Sequence, residues 1–230
     1  MKLVLFDIDG TLLWTDGAGR RAIHDALREA FGTIGPADYW FDGKTDRQIV
    51  RDLMRLEGFD DSTIDDRLPR VLARYVEGLR RELRSPAHPP RLLPGVSELL
   101  DALDGAPGIV LGLLTGNIAE GAEAKLRAVS IDPARFKVGA FGSDHELRPE
   151  LPAIAHRRAN ETMKLELLGE AVVVIGDTPA DIQCGRALGA RAIGVATGRF
   201  TTEQLSEHCP AAVFEDLTDT DAVVAAIRSC

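Results

Sequence analysis

The chain has 230 residues, of which 45% are apolar and 27% are charged, and its formal net charge is −9 at neutral pH. These values are typical of a globular protein with one large domain, or with a core domain and an insertion. The acidic balance argues against a general nucleic-acid or membrane-surface binder, which would present a basic face. It is compatible with a local positive pocket for an anionic small molecule.

The cysteines and the apolar runs indicate the cellular compartment. Cys184, Cys209 and Cys230 are too widely spaced for a zinc site or a disulfide framework. No apolar run approaches membrane-spanning length, and the first one is interrupted by aspartates too early for a signal-peptide core. We therefore expect reduced thiols, a cytoplasmic location, and neither nucleic acid nor membrane as a partner. The sequence does not predict the oligomeric state.

The first predicted element is a buried parallel strand over Lys2 to Phe6, a continuous apolar run that contains a valine. Asp7 and Asp9 follow where this strand should end, Gly10 permits a tight turn, and Thr11 adds a hydroxyl. In open α/β sheets ligands bind beyond the carboxyl ends of strands, so both carboxylates are predicted to face a site. Two like charges this close favour a bridging divalent cation or protonation of one of them.

The segment after this strand is predicted to be entirely helical. Apolar residues recur at helical spacing over 18–31, 45–56 and 63–83, with no strand signal between these stretches. The proline-rich run at 85–90 is predicted to be a linker, because prolines at this density cannot continue a helix.

From Leu92 onward the pattern alternates between strands and helices, which favours a parallel sheet covered on both faces. The predicted strands are 109–114, 136–141, 171–175, 190–196 and 211–214, and the predicted helices are 94–103, 118–129, 149–168, 180–188 and 219–227. The predicted fold class is therefore α/β, with a Rossmann-like parallel-sheet core over residues 1–13 and 91–230. An all-helical cap domain, residues 14–90, is inserted into it.

Two later strand ends also carry polar residues. Thr115, Gly116 and Asn117 supply a hydroxyl, a flexible backbone and a possible helix start, a combination that suits a phosphate, although a plain helix cap would look the same. Asp177 at the tip of a later strand could join Asp7 in binding magnesium, which is usually coordinated by few protein carboxylates. Asp181, four residues further on, could join them, and could equally stabilise a helix N-terminus.

These motifs resemble those of the haloacid dehalogenase (HAD) superfamily, most of whose members are phosphatases. The first motif is Asp7-Ile8-Asp9-Gly10-Thr11-Leu12, the second ends at Thr115, and the fourth is the Gly176-to-Asp181 segment. The helical cap predicted directly after the first strand also resembles the caps of proteins in this superfamily. The resemblance covers essentially the whole chain and implies a phosphoglycolate phosphatase-like enzyme with a HAD-like core.

The resemblance also implies a mechanism. Asp7 would attack a phosphomonoester to form an aspartyl-phosphate, and Asp9 would act as the general acid and base. Mg²⁺ would be held by Asp7, the backbone carbonyl of Asp9 and Asp177, with Asp181 in the same group. The remaining substrate contacts expected from the motifs come from Thr11, Thr115, Gly116 and Asn117.

The third motif departs from the family pattern. Many relatives have a lysine before a proline here, whereas this chain has Arg148 before Pro149. Arginine retains the charge and offers a planar fork to phosphate, so we assign the charge-stabilising role to Arg148. The alternatives are a solvated arginine, or His145 as the cation. In the cap, Lys44 lies in a loop similar to the substrate-specificity loop of phosphoglycolate phosphatase-like relatives, and could contact a substrate carboxylate or a second anion.

The predicted function is magnesium-dependent hydrolysis of a small phosphorylated metabolite. Retention of Asp9 argues against dehalogenation, because haloacid dehalogenases proper lack this second aspartate. A β-phosphoglucomutase-like phosphomutase has a similar cap and remains an alternative. A non-catalytic HAD-like binding module is the hypothesis from another class, and the complete set of motif residues argues against it.

Overall fold

The computed structural model describes residues 1–230 and contains a six-stranded parallel sheet. In chain order the strands are β1 (Lys2–Phe6), β2 (Leu13–Trp14), β3 (Arg91–Leu92), β4 (Ile109–Thr115), β5 (Val138–Phe141), β6 (Val172–Gly176), β7 (Arg191–Val195) and β8 (Ala212–Phe214). The sheet has the order β5-β4-β1-β6-β7-β8, and all of its neighbours are parallel. The first strand therefore lies in the middle of the sheet, between β4 and β6.

The helices divide into an inserted group and a group that covers the sheet. The inserted helices are α1 (Ala18–Phe31), α2 (Asp46–Leu56) and α3 (Asp61–Glu82). The others are α4 (Val96–Leu103), α5 (Ala119–Ala128), α6 (Leu151–Met163), α7 (Pro179–Cys184), α8 (Thr202–Ser206) and α9 (Thr220–Ser229). None of these helices is long and apolar enough to cross a membrane. The predicted fold class, a parallel α/β core with a helical insertion, is confirmed.

The apolar run of β1 is buried because both faces of the central strand are covered. Val4 and Phe6 belong to a cluster of 22 buried residues that includes Leu99 and Leu126 from the helices on that side. On the opposite face, Leu3 and Leu5 pack in a cluster of 13 buried residues with the helix α6. This two-sided burial explains why β1 shows no alternation of polar and apolar residues.

The cap has its own apolar core, a cluster of 17 buried residues from α1, α2, α3 and nearby positions. Ile118, at the start of α5, is the member that the core domain contributes to it. The chain leaves and re-enters the core side by side, because β2 and β3 pair antiparallel, with Leu13 opposite Leu92. The domain boundaries at 13/14 and 90/91 stay a prediction, and this two-stranded ribbon lies at both of them.

Several elements differ from the sequence prediction: the short strands β2 and β3 were not predicted, and α7 ends at Cys184 instead of continuing to Leu188. Helix α6 ends at Met163 instead of continuing to Leu168, because Lys164 adopts a left-handed conformation with φ 54°. The side chain of Asn160 then accepts a 2.8 Å hydrogen bond from the amide of Leu167, which stabilises the turn. Helix α8 was not predicted, since it has five residues and buries one of them, Leu205, too few for a periodic signal.

Candidate active site

The strand order brings the predicted motif residues to one edge of the sheet. β1 pairs with β4 on one side and with β6 on the other, and Phe6 lies opposite Leu113 and Ile175. Asp7 follows β1 directly, and its amide donates a 2.9 Å hydrogen bond to the carbonyl of Ile175. The carboxyl ends of these three neighbouring strands therefore meet, and Asp7, Thr115 and Asp177 lie at that edge, although 170 positions separate the first from the last.

Three buried carboxylates form the centre of this edge. Asp7, Asp177 and Asp181 each present an oxygen within 4.8 Å of the others. Burial raises the pKa of Asp7 to about 6, and burial together with the neighbouring Asp181 and Asp7 raises the pKa of Asp177 well above its usual range. Like charges held this close in a buried place are stabilised by a cation, so this donor set fits a divalent metal ion.

Glycines allow the backbone to approach these carboxylates. Gly10 has φ +81°, and a Cβ there would lie 2.3 Å from Oδ2 of Asp177. A Cβ at Gly198 would lie 1.8 Å from the same oxygen. Thr11 is fully buried and its hydroxyl donates a 3.1 Å hydrogen bond to Oδ1 of Asp177. Thr11 was predicted to bind substrate, but it does not line the cavity described below, because Asp177 takes its hydroxyl.

Arg148 lies beside the carboxylates, as the third motif predicted. Its Nη2 is 3.1 Å from Oδ1 of Asp7, and the same nitrogen donates to Asp181. Burial alone would lower the pKa of this guanidinium, but the carboxylates of Asp181 and Asp7 raise it above its usual value. Its Nε has no hydrogen-bond partner. The alternative cation, His145, is half-buried and does not line the cavity; its ring nitrogen accepts from the amide of Leu147 instead.

Asp181 has both of its carboxylate oxygens engaged within the protein. Oδ1 accepts from Arg148, and Oδ2 accepts from the amide and hydroxyl of Thr178 at 3.0 and 2.6 Å. The contact from the Thr178 amide, together with a 3.2 Å hydrogen bond from the Asp181 amide to Oγ1 of Thr178, forms a capping box that starts α7. Asp181 therefore combines the helix-starting role with a place in the acidic group, and the two predictions for it are compatible.

The end of β4 provides a hydroxyl and an amide side chain. Thr115 is fully buried, and its Oγ1 accepts a 2.7 Å hydrogen bond from Nδ2 of Asn117. The hydroxyl hydrogen of Thr115 is therefore free to donate elsewhere. Gly116 lies under the cap, since a Cβ there would be 2.0 Å from the backbone oxygen of Lys44.

The carboxylate of Asp9 lies outside the acidic group and has different partners. Lys125 of α5 places its Nζ 2.8 and 2.6 Å from the two oxygens of Asp9, and Asn117 donates to one of them at 2.7 Å. Lys125 belongs to no motif that the sequence revealed. It occupies the buried face of α5 with Ala122 and Leu126, so a charge on an apolar helical face was the signal that could have identified it.

The cap closes over this edge through polar contacts. The amide of Asp46 donates to the carbonyl of Gly116 at 2.8 Å, and its Oδ2 accepts from the amide of Ile118 at 2.9 Å. Burial raises the pKa of this carboxyl to about 6. Thr45 caps α2 and donates to the carbonyl of Glu146 at 2.6 Å. Neither Thr45 nor Asp46 was predicted to connect the two parts of the chain.

Lys44 lines the cavity but its ammonium group has partners within the cap. Nζ donates to Oδ2 of Asp52 at 3.2 Å and also contacts the hydroxyl of Tyr39. The predicted contact with a substrate anion would therefore need Lys44 to exchange one of these partners.

A cavity of about 220 Å³ separates the cap from the core. Asp7, Asp9, Gly116, Asn117 and Asp177 line it on the core side. Its walls also carry the cationic side chains of Arg20, Lys44, Lys125, Arg148 and Arg199. Five carboxylates share this lining, Asp42 and Asp46 among them, so the cationic side chains suit an anionic small molecule when a metal ion balances the acidic group.

Known proteins resemble this chain along nearly its whole length. It is 27% identical over 225 residues to the probable phosphatase IndB of Dickeya dadantii (strain 3937), covering 94% of this chain and 90% of that protein. It is 26% identical over 226 residues to phosphoglycolate phosphatase of Synechococcus elongatus, covering 95% of each. The crystal structure of a "predicted phosphoglycolate phosphatase" from Haemophilus somnus superposes with a TM-score of 0.69 at 22% identity, covering 97% of this chain and 98% of that one.

A family model for haloacid dehalogenase-like hydrolases matches residues 1–189. This match spans the cap and the motif residues from Asp7 to Asp181. It confirms the resemblance drawn from the motifs and the prediction of a hydrolase, and the relatives named as phosphatases agree with that kind of hydrolase. The chain belongs to the haloacid dehalogenase-like hydrolase family.

Proposed function

We propose that the protein is a magnesium-dependent phosphomonoester hydrolase that works through an aspartyl-phosphate on a small phosphorylated metabolite. The observation that carries this proposal is the position of Asp7. Its carboxylate lies at the tip of the central strand, 3.1 Å from the Arg148 guanidinium, and opens onto a small cavity with cationic walls. A carboxylate so placed can attack an electrophilic phosphorus. The phosphoglycolate phosphatase of Synechococcus elongatus is among the relatives, which supports a phosphoglycolate-like substrate.

The donor set fits magnesium. Asp7 and Asp177 would hold the ion together with the backbone carbonyl of Asp9, because Mg²⁺ takes few protein carboxylates and keeps water and substrate oxygens. Asp181 would complete the group from behind, where its oxygens are already engaged with Arg148 and Thr178. When bound, the ion supplies positive charge that neutralises the phosphate and helps to align it.

In the first half of the reaction, an Asp7 oxygen bonds to phosphorus and the bond from phosphorus to the leaving oxygen breaks. Asp9 gives its proton to that oxygen, so the alcohol leaves neutral. Asp9 lines the same cavity as Asp7, and its carboxylate is 39% exposed, which allows it to reach a substrate atom. The two aspartates thus lie in different surroundings that suit a nucleophile and a proton carrier.

The charge that spreads over the phosphoryl oxygens needs fixed donors. The Thr115 hydroxyl, the Gly116 amide and the Arg148 guanidinium are assigned to this role. Thr115 has its hydroxyl hydrogen free, and the Nε of Arg148 is buried without a partner. Because an unpaired buried N–H is costly, an anionic ligand oxygen is a favourable partner for it.

In the second half, Asp9 takes a proton from a water molecule, and the resulting hydroxide displaces Asp7 from phosphorus. Phosphate and the free Asp7 carboxylate are the products. Closure of the cap over the substrate would exclude bulk water, which prevents the proton and the phosphoryl group from being lost early. The contacts of Asp46 with Gly116 and Ile118 describe that closed arrangement.

The substrate class follows from the cavity's size and charge. A cavity of about 220 Å³ suits a small metabolite. Arg20, Lys44 and Arg199 supply positive charge away from the acidic group. We assign Lys44 to a carboxylate or second anionic group of the substrate, as the cap loop predicted.

A phosphomutase of the β-phosphoglucomutase type is the second candidate, since it would use the same Asp7 and Asp9. The two functions differ in the acceptor of the phosphoryl group, which is water in a hydrolase and a sugar phosphate in a mutase. Release of inorganic phosphate in proportion to substrate consumed therefore separates them.

The test is turnover of p-nitrophenyl phosphate, followed by a screen of phosphorylated metabolites with purified protein. We expect phosphate release that stops in EDTA, returns with added magnesium, and returns poorly with calcium, which prefers a larger and looser shell. Asp7→Asn should be inactive, while the exposed Asp25→Asn serves as the matched control. Full activity in excess chelator, or rearranged sugar phosphate without phosphate release, would contradict the proposal.

A further inference from the structure

We propose that Lys125 is a positioning residue that holds the Asp9 carboxylate in place for both of its proton transfers. This inference rests on the proposed function, because it assigns to Lys125 a part in the same reaction. Lys125 belongs to none of the motifs that identified the site. Its contacts nevertheless converge on the one carboxylate that the mechanism requires to move protons.

The ammonium group of Lys125 has three N–H donors, and each has an acceptor close by. Two reach the oxygens of Asp9, at 2.8 and 2.6 Å, and Oδ1 of Asn117 lies 2.6 Å away. Because Asp9 and Asn117 account for all three donors, the position of Lys125 Nζ and the position of the Asp9 carboxylate determine each other.

Asn117 extends this arrangement to the phosphate side of the cavity. Its Nδ2 donates to Asp9 Oδ2 and to Thr115 Oγ1, at 2.7 Å in each case, while its Oδ1 accepts from Lys125. The contacts form a connected chain from Thr115 through Asn117 to Asp9 and Lys125. The acid/base group is therefore fixed relative to the hydroxyl that is assigned to the phosphoryl oxygens.

The pair is asymmetric in its exposure. The Lys125 side chain is 5% exposed and the Asp9 side chain 39% exposed, so the ammonium lies behind the carboxylate and not in front of it. A cation that merely balanced a surface charge would be the more exposed partner. Here the buried lysine supports the carboxylate from the protein side and leaves its open side to the cavity.

The cap covers Lys125 in the closed arrangement. A Cβ at Gly19 would lie 3.5 Å from Lys125 Nζ and 3.8 Å from the Tyr75 hydroxyl, so the start of α1 passes directly over the ammonium group. A side chain at position 19 would reduce the space around the Lys125 ammonium group. The support of Asp9 is thus complete when the cap residues lie as they do in this structure.

Positioning matters here because Asp9 acts twice, first toward the leaving oxygen and then toward water. Proton transfer requires heavy-atom separations of about 2.6–3.2 Å, and small displacements of a catalytic group cost about 100-fold in rate. Without Lys125, the carboxylate keeps Asn117 alone and gains freedom to rotate. The cost falls on the steps that use Asp9 and spares the binding of phosphate.

The experiment compares Lys125→Met, which keeps the length and removes the charge, with Lys125→Arg and with the exposed control Lys137→Met. Each variant is assayed with an alkyl phosphate, whose leaving oxygen needs a proton, and with p-nitrophenyl phosphate, whose leaving group does not. Trapped phosphoenzyme is quantified in the same reactions. Wild type and Asp7→Asn are run alongside.

We expect Lys125→Met to lower kcat for the alkyl phosphate by about 10- to 100-fold and to change KM by less than about threefold. Proton transfer by a correctly placed side chain contributes about 100- to 10,000-fold to the rate. Phosphorylation by p-nitrophenyl phosphate should be largely retained, so phosphoenzyme should accumulate. Lys125→Arg should recover part of kcat, and Lys137→Met should equal wild type.

An equal loss with both substrates and no accumulated phosphoenzyme would overturn the inference and leave Lys125 a structural residue. An unchanged Lys125→Met would overturn it as well. If Lys125→Met does not fold, Lys125→Arg decides, because a displaced ammonium must raise the amount of phosphoenzyme trapped with p-nitrophenyl phosphate if position matters. Absence of phosphoenzyme in wild type would instead contradict the proposed function, so the two failures are distinguishable.

Discussion

The two walls of the cavity are built differently. The core wall consists of side chains at the ends of neighbouring parallel strands, each fixed by short contacts, as Asp7 is by Arg148 and Asp177 by Thr11. The cap wall consists of a loop and helix starts, and one of its cations, Lys44, is already paired with Asp52. If the proposed function is right, the core wall would perform the chemistry and the cap wall would select the molecule that undergoes it. Variants on the core wall should therefore affect every substrate, and variants on the cap wall only some.

The largest effect is expected for Asp7→Asn. The change retains the side chain's shape but removes the nucleophile and a charged ligand of the metal, so kcat should fall by about four orders of magnitude or more for all substrates. Steady-state kinetics with two unrelated phosphomonoesters measure it, with circular dichroism as the check on folding. If the activity of Asp7→Asn stays within about tenfold of the Asp25→Asn control, Asp7 is not the nucleophile.

Arg148→Ala should have the next largest effect. Loss of a donor that stabilises the transferring phosphoryl group lowers kcat by about 10- to 1,000-fold, again for every substrate. Arg148→Lys should restore part of this loss, since the charge returns without the planar fork. His145→Ala is the matched control, and a larger loss there than in Arg148→Ala would reverse the assignment.

Lys44→Met tests whether the cap wall distinguishes between substrates. We expect KM to rise by about tenfold for substrates with a carboxylate or second phosphate, and little change for p-nitrophenyl phosphate, which has one anionic group. Asp52→Asn is the informative partner variant, because it frees the Lys44 ammonium and should not weaken binding of the same substrates. Equal changes for both kinds of substrate would show that Lys44 does not select between them.

The smallest effect concerns stability and pH. Asp7 and Asp46 have pKa values of about 6 in the folded protein because they are buried, and about 4 in the unfolded chain. The folded state therefore binds more protons between pH 4 and 6. In metal-free protein the free energy of unfolding should accordingly rise as the pH falls from 7.5 to 5, by about 1–3 kcal/mol.

Asp46→Asn isolates the contribution of the cap carboxyl. Its side-chain oxygen can still accept the hydrogen bond from the Ile118 amide, but it no longer titrates. Urea unfolding in EDTA at both pH values should show a smaller pH dependence in this variant than in wild type. The same dependence in both proteins would mean that Asp46 does not take up a proton in this range.

The core wall was largely predictable from the sequence, because strand tips are local features. A buried apolar run followed by polar residues indicates both the strand and its site-facing end, as at Asp7, Thr115 and Asp177. The cap wall was less predictable, since its contacts join positions that no local pattern relates. Asp46 and Ile118 lie 72 positions apart in sequence and share a 2.9 Å hydrogen bond.

Lys125 shows why a core residue can also escape notice. It stands at helical spacing on a face that is otherwise apolar, where a lysine usually extends to solvent. Here the face turns toward the strand ends, and Asp9, 116 positions earlier, provides its partner. Only the packing of α5 against one face of the sheet brings them together, and that packing is not encoded in either segment alone.

Chemical trapping tests whether Asp7 carries the phosphoryl group. Protein quenched during turnover is treated with borohydride, which reduces an acyl phosphate to an alcohol and leaves free carboxylates intact. Peptide mapping should then find homoserine at position 7 in place of Asp7, only when substrate was present, and none in Asp7→Asn. Active protein with no modified residue, or with the modification at Asp9 or Asp177, would contradict the claim.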